Sequence, residues 1–220
     1  MGFVITIDGP AASGKSSVSR QLSQRLHIPW VSTGAFYRGL AYAAIHQKIS
    51  LQDKVALSEL AVSPVWRIEL TSEKTQVWYQ SENVTNLVAQ EEVGNFASQV
   101  SHYPEVRTSL LDQQRQFALK STGLIAEGRD CGTVVFPQAE AKVYLTANSE
   151  NRAQRRAQEL GLDEKKLAVQ QQQRDQQDST RATAPLQVPA DALVLDTTHL
   201  GFEEVVEAVE KFVRSKIAFS

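Results

Sequence analysis

The chain reads as an α/β fold in three layers, a five-stranded parallel sheet flanked by helices on both faces. Three observations predict it. Five short β-rich apolar runs alternate with helical patterns, at residues 3–7, at Trp30-Val31, at Leu124-Ile125-Ala126, at Ala141-Lys142-Val143-Tyr144-Leu145 and at Ala192-Leu193-Val194-Leu195. The first run leads at once into the glycine-containing loop Gly9-Pro10-Ala11-Ala12-Ser13-Gly14-Lys15-Ser16. That loop opens onto a stretch in which Val18, Leu22, Arg25 and Leu26 recur at helical spacing.

Phe3-Val4-Ile5-Thr6-Ile7 is β-branched and apolar, as a strand at the sheet centre must be. The loop after it spells G-x-x-x-x-G-K-S, so the fold is of the P-loop NTPase type and the first ligand is a nucleotide polyphosphate. Backbone N–H groups of such a loop turn inward and make a concavity for β-phosphate oxygens. Lys15 is expected to bridge the β- and γ-phosphates, and Ser16 to place its hydroxyl on Mg²⁺. Ser17 follows in the first turn of a helix whose positive end faces the same anion.

In folds of this class ligands bind at the carboxyl ends of the strands. The candidate segments are therefore Gly9 to Ser16, Ser32 to Arg38, and Glu127 to Asp130. Residues 64–85 break the rhythm, because two strand-like runs lie there with no long helix between them, which predicts a hairpin excursion. Helical patterns follow over 87–101 and 104–120, the second opened by Pro104. The stretch from Val169 to Asp178 is helical in propensity but polar all round, so it reads as an arm bridging solvent or a solvated linker. Ala182-Thr183-Ala184-Pro185-Leu186 stops it. A final pattern over 202–216 puts Phe202, Val205, Val206, Val209, Phe212 and Val213 on one face.

Several charged residues fall beside these strand ends. Glu127-Gly128-Arg129-Asp130 would deliver a carboxylate towards Mg²⁺ and an arginine towards phosphate, with Gly128 letting the backbone approach closely. Arg174, Asp178 and Arg181 share one narrow arc of a helix, which taken alone reads as an exposed ion-pair ladder. Arg38 lies near the opening of a helix, and Arg107 and Arg115 ride on the helix after Pro104.

Bulk properties exclude other classes. The 220 residues suit one core with small excursions, and 23 basic against 25 acidic residues leave a net charge of −2. No global field steers the chain onto nucleic acid or a membrane surface, so any anion site is local. The single cysteine, Cys131, allows no disulfide framework and no cysteine-rich zinc site, which suits the cytoplasm, and it reads as a buried filler. No apolar stretch approaches a membrane span.

Taken in order along the chain, these motifs resemble those of the bacterial cytidylate kinases. The resembling stretches are Ile7-Asp8-Gly9-Pro10-Ala11 through Ser16, Thr33-Gly34-Ala35-Phe36-Tyr37-Arg38, and Ala97-Ser98-Gln99-Val100 with Pro104-Glu105-Val106-Arg107. Further ones are Glu127-Gly128-Arg129-Asp130 through Pro137, and Arg174-Asp175 with Asp178, Arg181 and Ala184-Pro185-Leu186. The resemblance implies ATP- and Mg²⁺-dependent phosphorylation of CMP or dCMP, and the chain is expected to act as a monomer in the cytoplasm. It implies that Arg38, Arg129, Arg174 and Arg181 surround the monophosphate, ribose or transferring phosphoryl, that Lys15 shares in catalysis from the loop, and that Thr33, Ser98, Arg107, Asp130 and Asp178 contact the nucleoside. Arg152, Arg155 and Arg156 would belong to a short lid. On this pattern about 1–32, 121–148 and 182–220 form the core, about 33–120 the enlarged NMP-binding region with the hairpin at 64–85, and about 149–181 the lid and arm. The chain departs from the pattern at Leu87-Val88, where the family commonly has Ile-Arg, at Ala12, which replaces a common loop glycine, and at Thr33, where serine is frequent.

A phosphate acceptor is already anionic, so no catalytic base is needed, and His27, His46, His102 and His199 are scattered without a carboxylate at motif spacing. Cytosine presents an amino donor at N4 where uracil presents an acceptor, so a carboxylate such as Asp130 would favour the first. Two other readings stay open: a P-loop kinase of UMP, AMP or shikimate, and a nucleotide-dependent switch ATPase.

Overall fold

The computed structural model describes residues 2–219 except Ser72, Leu162 and Ala182, so the expected helix stop at Ala182 lies outside the described residues. A five-stranded parallel sheet has the order β2-β6-β1-β7-β8. Its strands are β1 (Phe3–Asp8), β2 (Trp30–Ser32), β6 (Gly123–Gly128), β7 (Ala141–Thr146) and β8 (Leu193–Asp196). All five runs expected from the sequence are strands. Because β1 is enclosed on both edges, its side chains alternate between two buried faces. Val4, Leu124 and Ala126 join the core beneath α2 (Thr33–His46), α3 (Lys54–Ala61) and α6 (Pro104–Leu119). Ile5, Ile7 and Ile125 pack on the other face against α1 (Lys15–Leu26) and α9 (Phe202–Lys216).

On α9 the buried stripe is Val205, Val206, Val209 and Val213, while Phe202 at the first turn is 46% exposed. The apolar face therefore begins one turn later than its periodicity suggested.

The excursion at 64–85 is a three-stranded antiparallel sheet of β3 (Trp66–Leu70), β4 (Thr75–Tyr79) and the two-residue β5 (Glu82–Asn83). The expected hairpin is present, with one short strand added. It is seated on α2 where Gly39 admits the Trp66 ring: a Cβ there would lie 2.8 Å from it. The pattern over 87–101 is two helices, α4 (Thr85–Val88) and α5 (Glu91–Val100), because Gln90 turns extended and starts the second. Helix α3, not expected from the sequence, is capped by the Asp53 carboxylate accepting from Ala56 N at 3.0 Å.

The polar stretch belongs to α8 (Glu164–Ser179), which lies against α7 (Ser149–Leu160). Leu167, Gln171 and Asp178 are buried, so this helix is held by one apolar and two polar buried side chains rather than bridging open solvent.

Candidate active site

The carboxyl ends of β1, β2 and β6 open into one cleft of about 880 Å³, a size suited to small ligands. Register explains why its parts converge: Ile7 pairs with Glu127, Asp8 with Gly128, and Ser32 with Glu127. The loop after β1 turns through Gly9 at φ +149°, Ala12 at φ +56° and Gly14 at φ +90°, and α1 begins at Lys15. Such a loop followed by a helix N-terminus concentrates N–H groups on one point.

Lys15 is buried, and its ammonium donates to Pro10 O at 2.6 Å and Ser13 Oγ at 3.3 Å. Burial pushes its pKa down to about 7, with Arg129 adding repulsion and Glu127, Asp8 and Asp175 opposing both. The exposed Ser16 donates its hydroxyl to Glu127 Oε1 at 3.0 Å. Oxygen donors of this kind suit a hard divalent ion that takes most of its remaining shell from phosphates and water.

The other side of the cleft is built from arginines paired with carboxylates. Arg129 reaches in two directions, donating from Nε to Asp178 Oδ2 at 2.6 Å and from Nη1 to Gly9 O at 2.8 Å, and so ties the phosphate loop to α8. Arg181 pairs with the other oxygen of Asp178 just past the end of α8. Burial alone would raise the Asp178 carboxyl, but Arg129 and Arg181 outweigh it and hold it below its ordinary range. Arg174, Asp178 and Arg181 are thus not an exposed ladder. Arg174 turns away from Asp178 and donates to Glu91 Oε2 and Asn95 Oδ1, each at 2.6 Å.

Arg107 is buried against Asp130 and lies over the Tyr37 ring at 5.4 Å. Thr33 Oγ1 donates to Glu127 O at 3.0 Å, directly beside Gly128, where a Cβ would lie 2.2 Å from that hydroxyl. The glycine is required by this close approach. Arg38 donates to Val88 O at 2.6 Å and Gln90 O at 3.1 Å. Its pKa falls to about 10 through burial first and the charge of Arg174 second. Ser98 donates to Gln177 Oε1 at 3.0 Å, joining α5 to α8. The buried Nε groups of Arg174 and Arg181 find no acceptor among the described residues, which leaves two donors for an oxygen-rich ligand.

Of the three arginines expected in a lid, only Arg155 and Arg156 line the cleft. Arg156 donates to Glu91 Oε1 at 2.7 Å, and Arg155 to Thr197 O at 2.7 Å. Arg152 is buried on the outer side of the phosphate loop. Arg115 does not reach the cleft either; it donates to Val134 and Val135 carbonyls and closes the wide turn Cys131–Val135.

Three acidic residues with structural duties in the site were not singled out from the sequence. Asp8 is fully buried and accepts from Cys131 N at 2.8 Å and Gly132 N at 2.7 Å, which aims the turn that carries Arg129 and Asp130. Burial raises its carboxyl to about 6 against those two hydrogen bonds. Glu91 gathers Arg156 and Arg174. Asp175 pairs with Arg152. Asp175 and Asp8 had a local signal, their places beside Arg174 and Gly9, and Glu91 had none.

Comparison with known proteins agrees with this geometry. A family model described as Cytidylate kinase matches residues 5–215. A cytidylate kinase of Bdellovibrio bacteriovorus is 62% identical over 99% of this chain and 100% of its own length. Another, from Aeromonas salmonicida, is 40% identical over 99% of this chain and 96% of its own. Among solved structures, a gluconokinase from Sinorhizobium meliloti superposes with a TM-score of 0.50 at 14% identity, covering 98% of this chain and 95% of that one, a likeness of fold alone. With a family model spanning nearly its whole length and relatives this similar, the chain belongs to the cytidylate kinase family.

Proposed function

We propose that the protein transfers the γ-phosphoryl group of ATP to CMP or dCMP, giving CDP or dCDP and ADP, with the phosphate loop as the donor site and the arginine-lined side as the acceptor site. The observation that carries this is Arg129, whose guanidinium spans from the loop carbonyl of Gly9 to Asp178 on the acceptor side. One cation thus stands where two polyanions must meet. Lys15, Lys74 and six arginines line the cleft against the carboxylates of Glu91, Glu127, Asp130 and Asp178, a local positive excess in a chain of net charge −2.

The acceptor oxygen is anionic before reaction, so proton abstraction is unnecessary, and no histidine is among the residues lining the cleft. What remains for the protein is alignment and neutralisation of charge on the transferring group. Lys15 and the N–H groups from Ala12 to Ser17 hold the donor; Arg38, Arg129, Arg174 and Arg181 hold the acceptor phosphate and the group in transit. Ser16, with Glu127 beside it, would hold Mg²⁺, which when bound draws off charge from the donor phosphates. Asp130 and Arg107 together offer an acceptor and donors that match N4, N3 and O2 of cytosine, with Thr33, Ser98 and Asp178 completing the nucleoside site. Arg155 and Arg156 close over the cleft. The enzyme works as a cytoplasmic monomer on free nucleotides; the described residues contain no helix long and apolar enough to cross a membrane.

A coupled assay of ADP release with CMP, dCMP, UMP, AMP and shikimate tests this. Turnover with CMP and dCMP well above the others is expected. Hydrolysis of ATP unaffected by any acceptor would overturn it in favour of a switch ATPase.

A further inference from the structure

Ala12 adopts φ +56° at the tip of the phosphate loop, a left-handed conformation in which Cβ crowds the following carbonyl. Something must hold it there. The peptide of Ala11, immediately before it, is gripped on both sides by residues of the two helices that follow β7. Its N–H donates to Asp175 Oδ1 at 3.2 Å, and its carbonyl accepts from Arg152 Nη1 at 2.9 Å. The same Arg152 Nη1 donates to Asp175 Oδ2 at 2.5 Å and closes the ring of contacts. Arg152 is itself fixed, with Nε donating to Ala147 O at 3.2 Å just beyond β7 and its own carbonyl accepting from Gln171 at 3.4 Å. Ala11 and Ala12 line the cleft, whereas Arg152 and Asp175 do not.

We propose that Arg152 and Asp175 are positioning residues for the donor site: by clamping the Ala11 peptide from outside, they keep Ala12 left-handed and the loop N–H groups turned towards the donor phosphates. The inference rests on the reading of the loop as the donor site. Its consequence is specific to this chain, because a glycine at position 12 would take the same backbone shape without help. Helix α8 then serves both substrates through adjacent residues, Asp175 on the loop and Arg174 on the acceptor side.

Asp175→Asn removes the charge that grips Arg152 while preserving size, and Arg152→Lys removes the guanidinium whose Nε is anchored on Ala147 O while Nη1 reaches Ala11 O and Asp175. Each is expected to weaken binding of a non-hydrolysable ATP analogue about tenfold by calorimetry, with KM for CMP changed less than about twofold. In an Ala12→Gly background the same substitutions should cost less than about threefold. Equal losses in the two backgrounds, or equal losses for analogue and CMP, would overturn the proposal. If neither variant folds, hydrogen exchange at the Ala11 amide of the unaltered protein decides: protection supports the clamp, and exchange at the rate of an open loop refutes it. Analogue binding needs no acceptor turnover, so this proposal can fail while the kinase activity stands, and the reverse.

Discussion

The two ends of the cleft are built by different means. The proposed donor end offers backbone N–H groups, set by the φ values of Gly9, Ala12 and Gly14, and one lysine. The acceptor end presents guanidinium groups instead, aimed by carboxylates that for every arginine but Arg181 come from another segment: Asp178 for Arg129 and Arg181, Glu91 for Arg156 and Arg174, Asp130 for Arg107. A backbone cradle is a general device for one kind of anion. A set of side chains in fixed pairs can discriminate a base and a sugar, and it depends on every partner being present.

Breaking the donor end should have the largest effect. Lys15→Ala removes the one donor-end side chain that carries a positive charge into the cradle, and single-turnover kinetics should show a fall in kcat on the order of a thousandfold. On the acceptor side Asp178→Asn leaves the half-buried Arg129 and the buried Arg181 without their shared counter-charge. A loss of about a hundredfold in kcat/KM for CMP is expected, with the affinity for the ATP analogue nearly kept. Asp130→Ala should compress the ratio of CMP to UMP turnover by about tenfold, since discrimination here depends on polar groups that a wrong base leaves unpaired. Equal losses on both bases would mean that Asp130 serves only to hold Arg107.

The smallest effect is in proton linkage, and it sharpens the contrast. The Lys15 ammonium sits at about 7 in the folded protein against an ordinary 10.5. The unfolded chain therefore binds more protons than the folded one between those values, and this group makes stability rise with pH across that window. Asp8 works in the lower range: its carboxyl is at about 6 against 3.8, the folded state binds the extra proton, and stability falls as pH rises from about 4 to about 6. A bound polyphosphate favours the charged lysine. Calorimetry in buffers of different ionisation enthalpy should thus show uptake of close to one proton on nucleotide binding near pH 8.5, and little near pH 6. No uptake at the higher pH would show that Lys15 is already charged in the free protein.

The donor end was legible in the sequence because its glycines and lysine lie within one local run after a strand. The sheet was legible for a similar reason, each strand being a contiguous apolar run. The acceptor end was less so. Arg129, Asp130, Arg174 and Arg181 could be picked out by motif, but Glu91 carries no local mark and Asp8, though next to the loop, none of its partners, since their duties arise only when segments far apart in the chain are brought together. Arg152 shows the same limit. Its neighbours in sequence, Arg155 and Arg156, face the cleft, and only the fold reveals that it faces the back of the phosphate loop. The division between α4 and α5 was missed because both halves are helical in propensity and the extended Gln90 between them is a tertiary choice.

Gly39 follows Arg38 on α2, and it is the point where the Trp66 ring sits against bare backbone. Any larger residue there acts as a wedge under the small antiparallel sheet, and the helix that must shift to relieve it is the one bearing a guanidinium of the substrate-facing side. An alteration far from the chemistry would then show itself as poor capture of the pyrimidine nucleotide by an enzyme whose grip on ATP is intact.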